Sequence, residues 1–192
     1  WKEEHLGGGY RISSWVERDA YANANAIIAV SEGMRADVLD CYPFIDPAKV
    51  HVVYNGINTE VYHHEPATNA LTEHGVDPEK PYVLFVGRIT RQKGISHLLR
   101  SARMFDDNIP IVLSAASPDT PELGAEVAAA VEELKRTRQN VHWIDAQLSR
   151  DDVVQFLSHA LLFACPSIYE PLGIVNLEAM GCEAPVVASA VG

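Results

Sequence analysis

Residues 81–86 (PYVLFV), 109–114 (IPIVLS), 141–144 (VHWI), 160–165 (ALLFAC) and 185–189 (PVVAS) are five strand-sized, largely apolar runs. A strand with one face in water alternates polar and apolar residues. Runs that are apolar on both faces need cover on both sides, which is the environment of a parallel sheet between helix layers. The stretches between the runs have helical length and helical start signals. Helices are expected from 95 to about 104, from Asp119-Thr120-Pro121-Glu122 to about 138, from Ser149 to about 159, and over 171–180 with Pro171 in the first turn. Right-handed crossovers between such strands produce a doubly wound, Rossmann-like α/β sheet. Ligands of these sheets bind beyond the carboxyl ends of the strands, so the loops after Val86, Ile144 and Cys165 are the places to look for chemistry.

The first third of the chain is less regular. Ser14-Trp15-Val16-Glu17 has a capping-box pattern and predicts a helix over 14–25. A strand over 26–30, a helix capped by Ser31 and a strand over 50–54 ending at Asn55-Gly56 follow. Residues 63–80 are polar and contain Pro66, Gly75 and Pro78, so they read as a linker, and the expected domains are 1–64 and 65–192. Gly7-Gly8-Gly9 has no strand before it and reads as a mobile interdomain loop.

The formal net charge is −11, which excludes nucleic acid and anionic membrane as partners for the surface as a whole. Locally the sign reverses, because Arg88, Arg91, Lys93, Arg100 and Arg103 fall within sixteen residues that contain no acid. An anionic ligand is expected there, while Arg100 and Arg103, three apart on a helix, read as a solvated face. No run reaches the length of a membrane span, and no signal-like apolar segment follows Trp1. Cys41, Cys165 and Cys182 form no CxxC and are expected as core residues of a reduced, cytoplasmic protein. His63-His64 is an adjacent pair without metal-ligand spacing, so no metal and no other cofactor is expected.

Two loops carry the candidate chemistry. Gly87-Arg88-Ile89-Thr90-Arg91-Gln92-Lys93-Gly94 follows a strand and opens a helix but matches neither GxGxxG nor the Walker spacing. Its glycines allow close backbone approach; an Arg fork and a Lys point charge suit a phosphate. In the second loop, Glu170 precedes Pro171, Leu172, Gly173 and Ile174, where free helix N–H groups could meet an anion, and Glu178 lies further along. Eight helical residues rise about 12 Å, too far for a hydrolytic acid pair but suited to two ends of one ligand with anions in the middle.

Together the G-R-x4-K-G loop and the E-x7-E spacing resemble the donor site of retaining GT-B glycosyltransferases of the glycogen synthase and sucrose synthase type. Ala29–Arg35, Tyr54–Asn58 and Glu178–Ala188 agree with the resemblance, and the segment from Trp1 through Glu17 is similar to actinobacterial, ADP-glucose-using glycogen synthases. Asn58 stands where that family usually carries Asp. The resemblance implies a fragment holding the end of an acceptor-side domain and most of a donor domain, which by itself binds ADP or ADP-glucose weakly and transfers nothing. It implies glucose transfer from a nucleotide sugar, ADP-glucose first, to an α-1,4-glucan or glucose 1-phosphate. Arg88 and Lys93 would stabilise the leaving diphosphate with Gly87 and the N–H groups of Leu172, Gly173 and Ile174. Glu170 would hold glucose hydroxyls, Glu178 the ribose, Gln92 the sugar or phosphate, and backbone at Ile144 the base. Alternatives are a mannosyl or sucrose-type transferase, a nucleotide-sugar epimerase, or a nucleotide-binding module without activity. A phosphorylase would need a lysine for pyridoxal phosphate, and none lies between Lys135 and Gly192.

Overall fold

The structure is a computed structural model and describes residues 7–191. It divides into two compact units between Asn55 and Gly56. In the first, helix α1 (Gly7–Asn23) precedes β1 (Ile27–Ala29), α2 (Glu32–Cys41) and β2 (Val50–Val52). The two strands pair in parallel, Ile27 opposite Val50. Ser31 caps α2 by accepting a hydrogen bond from the Met34 N–H at 3.0 Å, as its sequence position predicted. Two expectations are corrected. Ser14 is not a helix start, and Gly7–Gly9 is helical, not a loop. A Ser-x-x-Glu spacing also fits the middle of a helix, where the backbone ladder already satisfies the N–H groups. Cys41 is exposed, whereas Cys165 and Cys182 are buried. Residues 1–6, part of the resemblance to glycogen synthases, lie outside the described residues.

The second unit contains α3 (Asn69–Glu73), β3 (Val83–Arg88), α4 (Ile95–Ser101), β4 (Ile111–Ala116), α5 (Pro121–Thr137), β5 (Val141–Ile144), α6 (Arg150–Ser158), β6 (Leu162–Cys165), α7 (Ile174–Gly181) and β7 (Val186–Ala188). Its five strands are all parallel, in the order β5-β4-β3-β6-β7. Alternation along each strand sorts side chains between two cores. Val83, Phe85, Ile111 and Leu113 pack with Leu98, Leu99, Val127 and Val131 of α4 and α5. Leu84, Val112 and Phe163 pack with Leu71, Phe156, Leu157 and Ala179 of α3, α6 and α7. This is the doubly wound sheet that the apolar runs predicted. Each fully buried Leu, Ile, Val or Phe contributes about 1.5–3 kcal/mol relative to exposure.

Residues 63–80 are not a linker. Ala70 and Leu71 of α3 have no solvent exposure, and the Ala70 N–H donates to Gln155 Oε1 at 3.0 Å. The Glu65 N–H donates to Ser158 Oγ at 3.0 Å. A mean polar composition conceals two apolar residues when they are adjacent and fully used.

Arg138 is a structural residue that the sequence pattern did not mark. Its side chain is 2% exposed, and Nη1 donates to the carbonyls of Ala102 and Phe105 and to Asp107 Oδ1 at 3.1–3.3 Å. Nη2 reaches the carbonyls of Asp106 and Ile109. The guanidinium thus ties the turn before β4 to the end of α5. Arg138→Ala strands several buried acceptors and is expected to lower unfolding free energy by about 2–4 kcal/mol, measured by urea denaturation. A loss under about 1 kcal/mol would mean that water replaces the guanidinium.

Candidate functional site

The strand order reverses at β3. Helices after β3 and β4 cross one face, and those after β5 and β6 cross the other. The loops leaving β3 and β6 therefore part to opposite sides, and the crevice beyond their carboxyl ends is where such sheets bind ligands. These are the two loops that the sequence singled out.

They are tied to one another. The Ile168 N–H donates to the Gln92 carbonyl at 2.8 Å, and Gln92 Nε2 donates to the Tyr169 carbonyl at 3.0 Å. Gln92 is thus occupied as a clasp between the loops. Gly94 has φ +65°, and a Cβ built there would lie 1.9 Å from the Pro166 carbonyl oxygen, so only glycine fits this crossing. Thr90 Oγ1 accepts from the Lys93 N–H at 3.1 Å and fixes the turn that aims Lys93.

At the join, Lys93 Nζ lies 2.6 Å from Glu170 Oε2, with side chains 27% and 12% exposed. Ser167 Oγ donates to the same oxygen at 3.0 Å. Ser167 is 2% exposed, so this hydroxyl orients Glu170 from below. Arg88 ends β3, and its Nη2 lies 2.7 Å from Asp119 Oδ1 in an exposed pair. With Gly87, Ser114 and Gln147 it borders a cavity of about 460 Å³. Ser117, on the same cavity, has φ +54°, a left-handed conformation uncommon outside glycine. Ile144 is buried in the sheet core at 7% exposure, and the residues just after it, Ala146 to Leu148, face that cavity.

The helix start differs from expectation. α7 begins at Ile174 with Gly173 as its N-cap, so Pro171 and Leu172 precede the helix. Gly173 has φ +74°, and a Cβ there would meet Asn176 Nδ2 at 2.6 Å and Glu170 Cγ at 3.1 Å. The left-handed cap, not Pro171, turns the chain into the helix and leaves room beside Glu170. Because only residues from Ile174 onward are helical, the helix-rise estimate for the Glu170–Glu178 separation does not apply. Glu178 lies in the second turn, near the Tyr62 phenol; burial first, and this carboxylate second, hold that phenol above its usual pKa. Ile57 and Tyr62 pack against Gly181, where a Cβ would lie 2.8 Å from Ile57 Cδ1.

Asp119, Ser167 and Tyr62 were missed by the sequence reading. Ser167 carried a local signal, a hydroxyl three residues before Glu170. Asp119 and Tyr62 carried none, because their partners are distant in the chain. Among the described residues, no group of three or more His, Cys, Asp or Glu is placed to hold a metal ion. No helix among them is long and apolar enough to cross a membrane.

Residues 68–192 match the family described as Glycosyl transferases group 1, and residues 1–61 match Glycosyltransferase Family 4. The chain belongs to the group 1 glycosyltransferase family. It is similar to alpha-maltose-1-phosphate synthase of Mycolicibacterium smegmatis, 53% identical over 195 residues, covering 100% of this chain and 50% of that protein. It is also similar to D-inositol 3-phosphate glycosyltransferase of Mycobacterium sp. (strain KMS), 34% identical over 178 residues, covering 92% of this chain and 39% of that protein. Among solved structures, sucrose-phosphate synthase from Thermosynechococcus elongatus aligns with TM-score 0.75 and 27% identity, covering 100% of this chain and 48% of that one. The chain spans about half the length of the curated relatives it matches. The architecture is that of GT-B glycosyltransferases. These relatives place the chain in the family without singling out glycogen synthase.

Proposed function

We propose that the crevice beyond β3 and β6 is the donor half of a glucosyltransferase site. On this reading residues 1–64 close the acceptor-side domain and 65–192 form most of the donor domain. The donor is ADP-glucose, and the sugar passes with retention to glucose 1-phosphate or an α-glucan end. The 53% identity to proteins named alpha-maltose-1-phosphate synthase favours glucose 1-phosphate as the acceptor.

The observation that carries the reading is the Lys93–Glu170 pair at 2.6 Å, steadied by Ser167. In transfer, the bond from the sugar C1 to the β-phosphate oxygen breaks, and the electron pair stays on the diphosphate. The acceptor hydroxyl oxygen bonds C1 on the same face, and its proton passes to the leaving phosphate. Lys93 and Arg88 are placed to meet the growing negative charge, each exchanging a protein carboxylate, Glu170 or Asp119, for phosphate oxygens. The first-turn N–H groups of α7 add a partial positive charge that needs no reorganisation. Glu170, released from Lys93 but still held by Ser167, accepts hydrogen bonds from glucose hydroxyls. Glu178, near Tyr62, accepts from the ribose. The cavity beside Gly87, Arg88 and Gln147 has room for the base. The chemistry draws on no metal, since lysine, arginine and helix N–H groups supply the positive charge.

Calorimetric titration of the full-length protein with ADP, UDP and GDP tests the donor assignment. ADP is expected to bind at least tenfold tighter than the other two. Absence of binding by all three, with the protein folded, would overturn the donor site; a UDP preference would overturn the ADP-glucose assignment alone. Incubation with ADP-glucose and glucose 1-phosphate should then yield a disaccharide phosphate faster than it lengthens glucan.

A further inference from the structure

The five basic residues between Arg88 and Arg103 do not form one patch. Arg88 and Lys93 face the crevice described above. Arg91, Arg100 and Arg103 instead border a separate cavity of about 450 Å³, lined by residues of α4, α5 and the Lys93 loop. Its floor is aliphatic, from Ile95, Leu99 and Ala130, with Ile168 at the edge.

The charges around this cavity are unbalanced. Glu126 is the only carboxylate among its lining residues, and it lies 3.5 Å from Arg91 in a pair that is 66% and 52% exposed. Such a pair is weak in water and readily exchanged. Arg100 Nη2 lies 2.7 Å from His97 Nδ1, and an imidazole carries no negative charge to offset the guanidinium. Arg103 makes no ion pair or side-chain hydrogen bond with any described residue. A basic residue in the last turn of α4 complements the helix dipole, but that accounts for Arg100 alone. Three guanidiniums converging on one concavity, in a chain of net charge −11, mark a place built for negative charge.

We infer that this cavity is a second anion site, for a compact, multiply charged organic phosphate. The planar forks of Arg91, Arg100 and Arg103 suit phosphate oxygens, and the aliphatic floor suits a small carbon skeleton. A neutral glycan is disfavoured because no Trp, Tyr or Phe lines the cavity for a sugar ring to stack on. The inference goes beyond the proposed donor site and does not depend on it.

The location gives such a ligand a route to the catalytic loops. Thr90, Arg91 and Gly94 form part of the wall, and Ile168 belongs to the loop that carries Glu170. Thr90 fixes the Lys93 turn, and Ile168 is bonded to Gln92. An anion clamped by Arg91 braces the segment that presents Lys93 to the crevice.

The test uses inorganic pyrophosphate as probe, titrated calorimetrically into the full-length protein. The wild type is expected to show two classes of site. R100A/R103A should weaken one class at least tenfold and leave the other, whereas R88A/K93A should do the reverse. R100K/R103K keeps the charge and should bind more tightly than the alanine double variant. Unchanged pyrophosphate binding in a folded R100A/R103A variant would overturn the inference, as would a single class abolished by R88A/K93A. If R88A/K93A changes nothing while R100A/R103A removes a site, the donor-site reading fails and this inference stands.

Discussion

Lys93→Ala in the full-length enzyme is expected to lower turnover by a factor of about 10²–10³, the loss found when one preorganised donor to a developing anion is removed. Two changes act in the same direction. The ammonium that would meet the leaving diphosphate is gone. The Glu170 carboxylate, 12% exposed and now bonded to Ser167 alone, is left unneutralised where negative charge must grow. Because the charge develops in the transition state, the fall should appear mainly in kcat, with a smaller rise in the donor KM. Steady-state kinetics checks the split, and an unchanged thermal midpoint confirms that the loss is chemical. A decrease below tenfold in a folded variant would mean that Lys93 is a structural partner of Glu170 and no more.

Gly94→Ala is expected to be as damaging to activity, for a conformational reason. At φ +65° an alanine pays the left-handed penalty of about 1–2 kcal/mol. Its Cβ would also stand 1.9 Å from the Pro166 carbonyl oxygen and 2.9 Å from its carbon, both backbone atoms that no rotamer change can move. The loops must separate, breaking the Ile168–Gln92 bond and withdrawing Lys93 from Glu170. Turnover should fall by at least about 10², with stability reduced by at least about 2 kcal/mol. Gly75 supplies the comparison, having φ +72° with nothing within 4 Å of a built Cβ. Gly75→Ala should therefore show the conformational penalty without the collision, by urea denaturation and in activity. Equal effects from both substitutions would show that the collision at Pro166 is relieved by the loops at no cost.

Much of the fold is legible along the chain because strand and helix periods are local. Leu84, Val112 and Phe163 against Val83, Phe85 and Leu113 already specify two buried faces, and with them a parallel sheet. Pro121 after Thr120, and Ser149 before α6, mark helix starts through bonds that span three residues. The errors fall where a local pattern had more than one structural use. Ser14-x-x-Glu17 sits inside a helix, and Pro171 stands outside one because Gly173 makes the turn. Residues 63–80 conceal α3, whose Ala70 and Leu71 find their partners on α6, about eighty-five residues later.

The candidate site divides along the same line. Residue types and spacing singled out the two loops and made Arg88, Lys93, Glu170 and Glu178 candidates, and the likeness to GT-B transferases rested on resemblance to a known family. Which of five neighbouring basic residues face one crevice could not be read from spacing, because the turn between β3 and α4 has no fixed side-chain period. Tertiary structure decided that Lys93 meets Glu170 over Ser167, that Arg88 meets Asp119, and that Arg91, Arg100 and Arg103 border a different cavity. Chemistry and period are properties of the chain and can be counted along it. The cavity that each charge borders is set by contacts between residues tens of positions apart, and appears only when the chain is folded.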